Sequence, residues 1–428
     1  MVHNLCKRPH CLVTLIFVGV AESRAGGKVQ EQLGLSELHG GYEDTARHEQ
    51  YDFQKSRYHQ KIRANTSSYA LPERLQNSPA SCTPQLLRTD LLSSAGDFYE
   101  TTDGNYYFEP AACLLRRLSG HEARQCLAGR HLDFIGDSVT RYQYMSLVDF
   151  LSQKQYQAPY GDAPGSPSMS MYWEWGDWSS FYQGSQQKLA QAVDATAVEA
   201  CRCRRSDTPQ TFTQEHQAGR IKEDREFILV ASPNNASDRP GETIRISYEQ
   251  VYDLPTFHQA GLHGLIQSLR HRQLLTGPPS TVIMNQGIWA YGSGDLDHTS
   301  DPYRQTALQS IIDMGDTLVS SLSNTELLWK TTSVAVDDRE PLFAIINANT
   351  VTAAEKSKHW TVYNVRSISE AAIRQGLDFM TDNLHFIPLI YEQFNDLLLN
   401  MMCNTDNTWY EAKKSPGSVL QRLMSSSA

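Results

Sequence analysis

The chain predicts an α/β domain built on a largely parallel sheet, and three observations carry that expectation. Short apolar runs alternate with segments of helical period. "FILVA" from Phe227, "TVIMN" from Thr281, "ELLWKT" from Glu326 and "FAII" from Phe343 read as strands, and "TALQSIIDMGDTLVSSL" from Thr306 reads as a helix among them. The stretch "LDFIGDSVTRYQYMSL", Leu132 to Leu147, reads as a buried strand, a sharp turn and a helix. Finally, "PLIYEQFNDLLLNMM" places Ile390, Phe394, Leu397, Leu398 and Met401 on one helical face, with Pro388 in the first turn.

Length and composition frame these elements. A chain of 428 residues with 40% hydrophobic content can bury a substantial core. Its net charge of −10 argues against nucleic acid or an anionic membrane as the main partner, because both require a basic field. Residues 1–21 read as a signal peptide. Lys7 and Arg8 precede the apolar run "CLVTLIFVGVA", with Gly19 and Ala21 at the small positions. As a helix that run would rise about 16 Å, too short for a hydrocarbon core of about 30 Å. Residues 22–80 are polar and read as a flexible stem. The domain proper is expected over 81–428, interrupted at about 152–225 by an insertion containing "MYWEWGDWSSFY". Its aromatic rings either stack on sugars or pack as a hairpin on the core.

Beyond the leader, six cysteines remain: Cys82, Cys113, Cys126, Cys201, Cys203 and Cys403. In a secretory context they are disulfide candidates, and sequence cannot rank their fifteen pairings. No CxxC or HExxH pattern supports a metal site, and no cofactor motif is apparent. Asn65 and Asn235 head acceptor sequons for glycosylation.

The chemistry concentrates at Gly136-Asp137-Ser138. A serine after a strand and before a helix sits where open parallel sheets bind ligands, and the helix amino terminus offers N–H groups to a developing oxyanion. Arg141, three residues on, shares that side of the helix. The same triplet also serves as an ordinary helix cap, and it lacks the second glycine of a GxSxG elbow. A base is therefore required. Two DxxH pairs exist, Asp295 with His298 and Asp382 with His385. His385 lies between Leu384 and Phe386 just before the terminal helix, where it can face Ser138 while Asp382 orients its ring. His298 lies in a polar loop. Asn285 ends the "TVIMN" strand, followed by Gly287 and Trp289, and its amide can donate to the same oxyanion.

In this order, GDSxxR at 136–141, NxGxW at 285–289 and DxxH at 382–385 resemble the PC-esterase and trichome-birefringence-like branch of the SGNH/GDSL hydrolases. "EPAACLLRRL", "CLAGRHLDFIGDSVTR" and "LLWKTTSVAV" resemble the same branch. The resemblance implies a three-layer α/β/α flavodoxin-like fold. It implies Ser138 as nucleophile, His385 as base and Asp382 as its orienter, with Arg141, Asn285 and Gly287 in oxyanion or substrate contacts. Gln286 and Ile288 depart from the plant pattern. So does Asn383, where a cysteine is usual, and no second-block oxyanion glycine is identifiable.

The implied activity is O-acyl transfer, commonly of acetyl, to glycan hydroxyls in the secretory pathway, either secreted or in the Golgi lumen. The partners would be an acyl donor and a glycan or polysaccharide acceptor. The alternatives are a carbohydrate O-acetyl esterase working through the same acyl-Ser138 intermediate, and a non-catalytic glycan-binding protein on the same fold.

Overall fold

The computed structural model describes residues 81–89, 96–100, 106–153, 197–201, 224–230, 243–250, 279–285, 301–322, 324–377, 379–380 and 383–403. The leader, the stem, both sequons and most of the aromatic insertion lie outside the described residues.

Seven strands form the main sheet. In chain order they are β3 (His131–Gly136), β4 (Ala197–Cys201), β5 (Asp224–Val230), β6 (Thr243–Gln250), β7 (Thr281–Met284), β8 (Glu326–Lys330) and β9 (Trp360–Tyr363). Their spatial order is β4-β5-β6-β3-β7-β8-β9. From β6 to β9 all neighbours are parallel, while β5 runs antiparallel to both β4 and β6. Counting only the parallel strands, the order is second-first-third-fourth-fifth, the flavodoxin-like winding. The sheet direction reverses its build-up between β3 and β7, so a crevice forms beyond their carboxyl ends.

Alternation along the strands sorts their side chains onto two faces. Leu132, Phe134, Ile283, Leu328 and Tyr363 join one buried cluster. Ile135, Val282, Met284, Leu327, Trp329, Trp360 and Val362 join the other. The first face is covered by α3 (Ser138–Gln153), α6 (Arg366–Arg374) and α7 (Pro388–Cys403), which contribute Tyr144, Val148, Ile368, Phe394 and Leu398. The second is covered by α4 (Asp301–Ser321) and α5 (Glu340–Lys356), which contribute Ile311, Met314, Leu318, Ala353 and Ala354. The result is the three-layer α/β/α arrangement expected from the sequence.

Smaller elements close the first face. α1 (Pro84–Thr89) and the hairpin β1 (Asp97–Glu100) with β2 (Tyr106–Glu109) precede α2 (Gly120–Leu127). A capping box starts α2: Glu122 N–H donates to Ser119 Oγ at 3.2 Å, and Ser119 N–H donates to Glu122 Oε2 at 2.8 Å. Arg117 ties the hairpin to α7, with Nη1 2.6 Å from Asp396 Oδ2 and Nη2 2.8 Å from Glu109 Oε1. Two disulfides form, Cys82–Cys113 and Cys126–Cys403. The second joins α2 to the last residue of α7. Cys201 belongs to β4 by its backbone, and Cys203 lies outside the described residues.

Two sequence expectations are corrected. "FAII" is helical, inside α5, with Phe343, Ile346, Thr350, Ala353 and Ala354 buried at helical spacing behind Pro341. A four-residue apolar run is compatible with either element, and the longer period decides it. β4, an antiparallel edge strand, comes from within the insertion. The terminal helix is not one-sided, since Pro388 to Met402 are buried all round. Several of its polar side chains bond to neighbouring elements. Gln393 Oε1 accepts from Phe108 N–H at 2.9 Å, Asn395 Nδ2 donates to Gln143 O at 3.2 Å, and Asn400 bonds both backbone groups of Arg116 at 2.8 Å.

Candidate active site

Asp137, not Ser138, caps α3. Thr140 N–H donates to Asp137 Oδ1 at 3.1 Å, and Arg141 N–H donates to Asp137 O at 2.9 Å, the pattern of an N-cap residue. Ser138 is thereby released from the capping role and becomes the first helical residue. The amides of Ser138 and Val139 belong to the first turn, whose N–H groups the helix cannot satisfy internally. The turn is braced from β6, where the Tyr248 hydroxyl lies 2.9 Å from Asp137 O and 3.3 Å from Gly136 O. Glycine is required at 136 by crowding. A Cβ there would meet Thr140 Oγ1 at 2.7 Å and Asn285 Cβ at 3.3 Å.

His385 arrives from the segment before α7. That segment is pinned on several sides: Val336 N–H donates to Asn383 O at 3.1 Å, Ile387 N–H to Phe379 O at 3.0 Å, and Phe386 N–H to the Tyr391 hydroxyl at 3.2 Å. Tyr142, one turn along α3 from Ser138, sets its ring against the imidazole at 5.3 Å between centroids and 82° between planes. With those supports His385 Nε2 stands 2.7 Å from Ser138 Oγ. When the imidazole carries its proton on Nδ1, the serine hydroxyl donates to Nε2, the arrangement in which a serine proton can be removed.

The other expected residues are placed as follows. Arg141 is only 1% exposed, and its guanidinium carbon lies 4.9 Å from the Tyr142 ring centroid, behind the ring that flanks His385. Asn285 does end β7 beside the turn, accepting the close approach of Gly136. Its Nδ2, however, donates to Lys330 O at 3.1 Å and to Thr332 Oγ1 at 3.5 Å. The amide is thus engaged toward the end of β8. Asp382, Gly287, Trp289, Asp295 and His298 lie outside the described residues.

Sequence reasoning missed Tyr142, Thr140, Tyr248 and Lys330. The signal for Lys330 was available as a charge ending an otherwise apolar strand, "ELLWK". Its ammonium group is buried and donates to Thr140 Oγ1 at 3.1 Å. Burial pulls its pKa down to about 7, against the opposing pull of Asp137.

Among the described residues, no group of three or more His, Cys, Asp or Glu side chains is arranged to hold a metal ion, and no helix is long and apolar enough to cross a membrane.

No protein-family model matches the chain, and no curated protein matches it. Among solved structures it is similar to a peptidoglycan O-acetylesterase, at 11% identity and a TM-score of 0.33, over 67% of this chain and 97% of that one. It is also similar to a GDSL-like lipase from Parabacteroides merdae, at 12% identity and a TM-score of 0.29, over 64% of this chain and 95% of that one. At that level of likeness neither structure assigns a residue role here.

Proposed function

We propose that this chain is a serine acyl-transfer enzyme of the SGNH/GDSL type, moving an acyl group such as acetyl onto a glycan hydroxyl through an acyl-Ser138 intermediate. The observation that carries the reading is the 2.7 Å contact between Ser138 Oγ and His385 Nε2, made across 247 residues of sequence at the carboxyl end of β3. A helix amino terminus directly beneath the serine supports the same reading.

In the first half-reaction Ser138 Oγ attacks the donor carbonyl while His385 Nε2 takes the serine proton. The oxyanion gathers at the first-turn amides of α3. Collapse breaks the bond to the leaving group, which receives the proton from His385, and leaves acyl-Ser138. In the second half-reaction His385 deprotonates a sugar hydroxyl, which attacks the acyl carbonyl and releases Ser138. Asp382 is assigned the orientation of the imidazole through Nδ1. Water in place of the sugar gives an esterase by the same steps.

The glycan acceptor and the secretory setting rest on the resemblance of the three sequence blocks, on the leader-like amino terminus and on the two disulfides, which suit an oxidising compartment. The test is turnover of an activated acetyl ester with and without xylo- and manno-oligosaccharide acceptors. Acetylated oligosaccharide formed faster than free acetate supports transfer. Acetate alone assigns the esterase, and no turnover of the ester overturns the catalytic reading in favour of a glycan-binding protein.

A further inference from the structure

Beneath the serine turn lies a buried lysine that the acyl-transfer steps do not use. Lys330 ends β8 and is 1% exposed. Its Nζ donates to Thr140 Oγ1 at 3.1 Å, and that hydroxyl lies 3.4 Å from Asp137 Oδ1, the oxygen that also accepts Thr140 N–H. Lysine, threonine and aspartate therefore form a continuous donor chain from the end of β8 to the residue preceding Ser138. The strand end itself is tied to β7 through Asn285 Nδ2 and Lys330 O.

A buried ammonium group is costly, and leucine or methionine would finish an apolar strand without that cost. The ring of Phe394, 5.6 Å from Nζ, offsets only part of it. What the ammonium group supplies is direction. It donates to Thr140 Oγ1 and so turns that hydroxyl's own proton toward Asp137. This sets the cap that releases Ser138 for His385. The crowding at Gly136 makes the position of Thr140 Oγ1 stringent, because the hydroxyl fills the space a Cβ would take.

We propose that Lys330 is a positioning residue for acyl transfer: acting through Thr140, it holds Asp137 in capping geometry and Ser138 Oγ within reach of His385. The inference rests on Ser138 being the nucleophile. It separates from a merely structural role because turnover and labelling rates measured on folded protein report the position of Ser138 Oγ, whereas a structural role would move the thermal midpoint and leave Ser138 reactivity unchanged.

The test compares the full chain with Lys330→Met, Thr140→Val and the double variant. It measures kcat and KM on p-nitrophenyl acetate, the rate of Ser138 labelling by a fluorophosphonate, and the thermal midpoint. We expect each single variant to lose about tenfold or more in kcat and in labelling rate, as small misplacements of a nucleophile do. KM should stay within about twofold, and the double variant should be no slower than Lys330→Met alone. Wild-type kcat in either folded variant, or multiplied losses in the double, would overturn the proposal. If Lys330→Met does not fold, Thr140→Val, which keeps the lysine, decides alone by the same kcat criterion. Wild-type protein that is not labelled overturns the nucleophile reading and this inference together, whereas labelled wild type with an equally fast Thr140→Val overturns this inference only.

Discussion

Two serine hydroxyl–imidazole contacts occur among the described residues, and the contrast between them separates the proposed catalytic pair from a structural one. Ser138 Oγ meets His385 Nε2 at 2.7 Å, and Ser247 Oγ meets His131 Nε2 at 2.8 Å. The second even has an aspartate, with Ser247 Oγ donating to Asp133 Oδ1 at 2.9 Å. Exposure does not separate the two serines, which are 5% and 1% accessible. Proton direction does. The Ser247 hydroxyl gives its proton to a carboxylate, so His131 Nε2 must donate to it and cannot act as its base. The aspartate takes the proton of the serine itself, the reverse of a catalytic relay. Location completes the difference. Ser247 lies within β6, paired with Asp133 of β3, and no helix begins there. Ser138 stands at a switch point on a helix amino terminus.

The largest effect that sharpens this comparison is on turnover. Ser138→Ala should lower ester hydrolysis by at least about 10³-fold, His385→Gln by a similar factor, and the double variant by no more than either, as expected of groups acting as one unit. Steady-state kinetics on an activated acetyl ester measures all three. Losses that multiply would contradict the pairing.

Ser247→Ala should show the opposite profile. It removes the hydroxyl that bridges His131 and Asp133, at a cost of about 1–3 kcal/mol in stability by denaturant unfolding, while kcat stays within twofold. A large kcat loss without loss of stability would break the comparison.

The smallest effect concerns a buried polar group on α7, behind the His385 segment. Burial, reinforced by Asp396 and Asp149, holds the Glu392 carboxyl well above its ordinary range. A raised folded-state pKa means that the native protein binds the extra proton, so this group's stability contribution is full below about pH 4.5 and is lost as pH rises above it. Glu392→Gln should therefore melt about 2–4 °C higher than wild type at pH 7, with the gap closing at pH 4. An equal gap at both pH values would point to packing instead of charge.

What sequence could reveal follows from how local each signal is. Ser138 was legible because strand, turn and helix are contiguous around it, and His385 because its loop runs directly into a strongly apolar helix. The sheet was legible from β3, β5, β7 and β8, of which β5 is antiparallel. β6 was not, because Arg245, Ser247 and Glu249 place polar residues at every second position of "TIRISYEQ", which reads as a solvated face. In the fold Ser247 and Glu249 are buried, and Ser247 bonds to Asp133. The disulfide pairs and the chain from Lys330 through Thr140 to Asp137 join elements far apart in sequence, so no spacing rule reports them. The capping role of Asp137 was within reach, since a residue three before a threonine at a helix start is a local pattern. In the fold that pattern is the Thr140 N–H bond to Asp137 Oδ1.

The central claim is that Ser138 becomes acylated. Intact-mass analysis of the oxidised, folded protein incubated with an activated acetyl ester, beside Ser138→Ala, tests it most directly. The account predicts one acetyl added to the wild-type chain only, mapped to Ser138 by peptide analysis. An unmodified wild-type chain with no ester turnover, or an adduct that persists in Ser138→Ala, would contradict it.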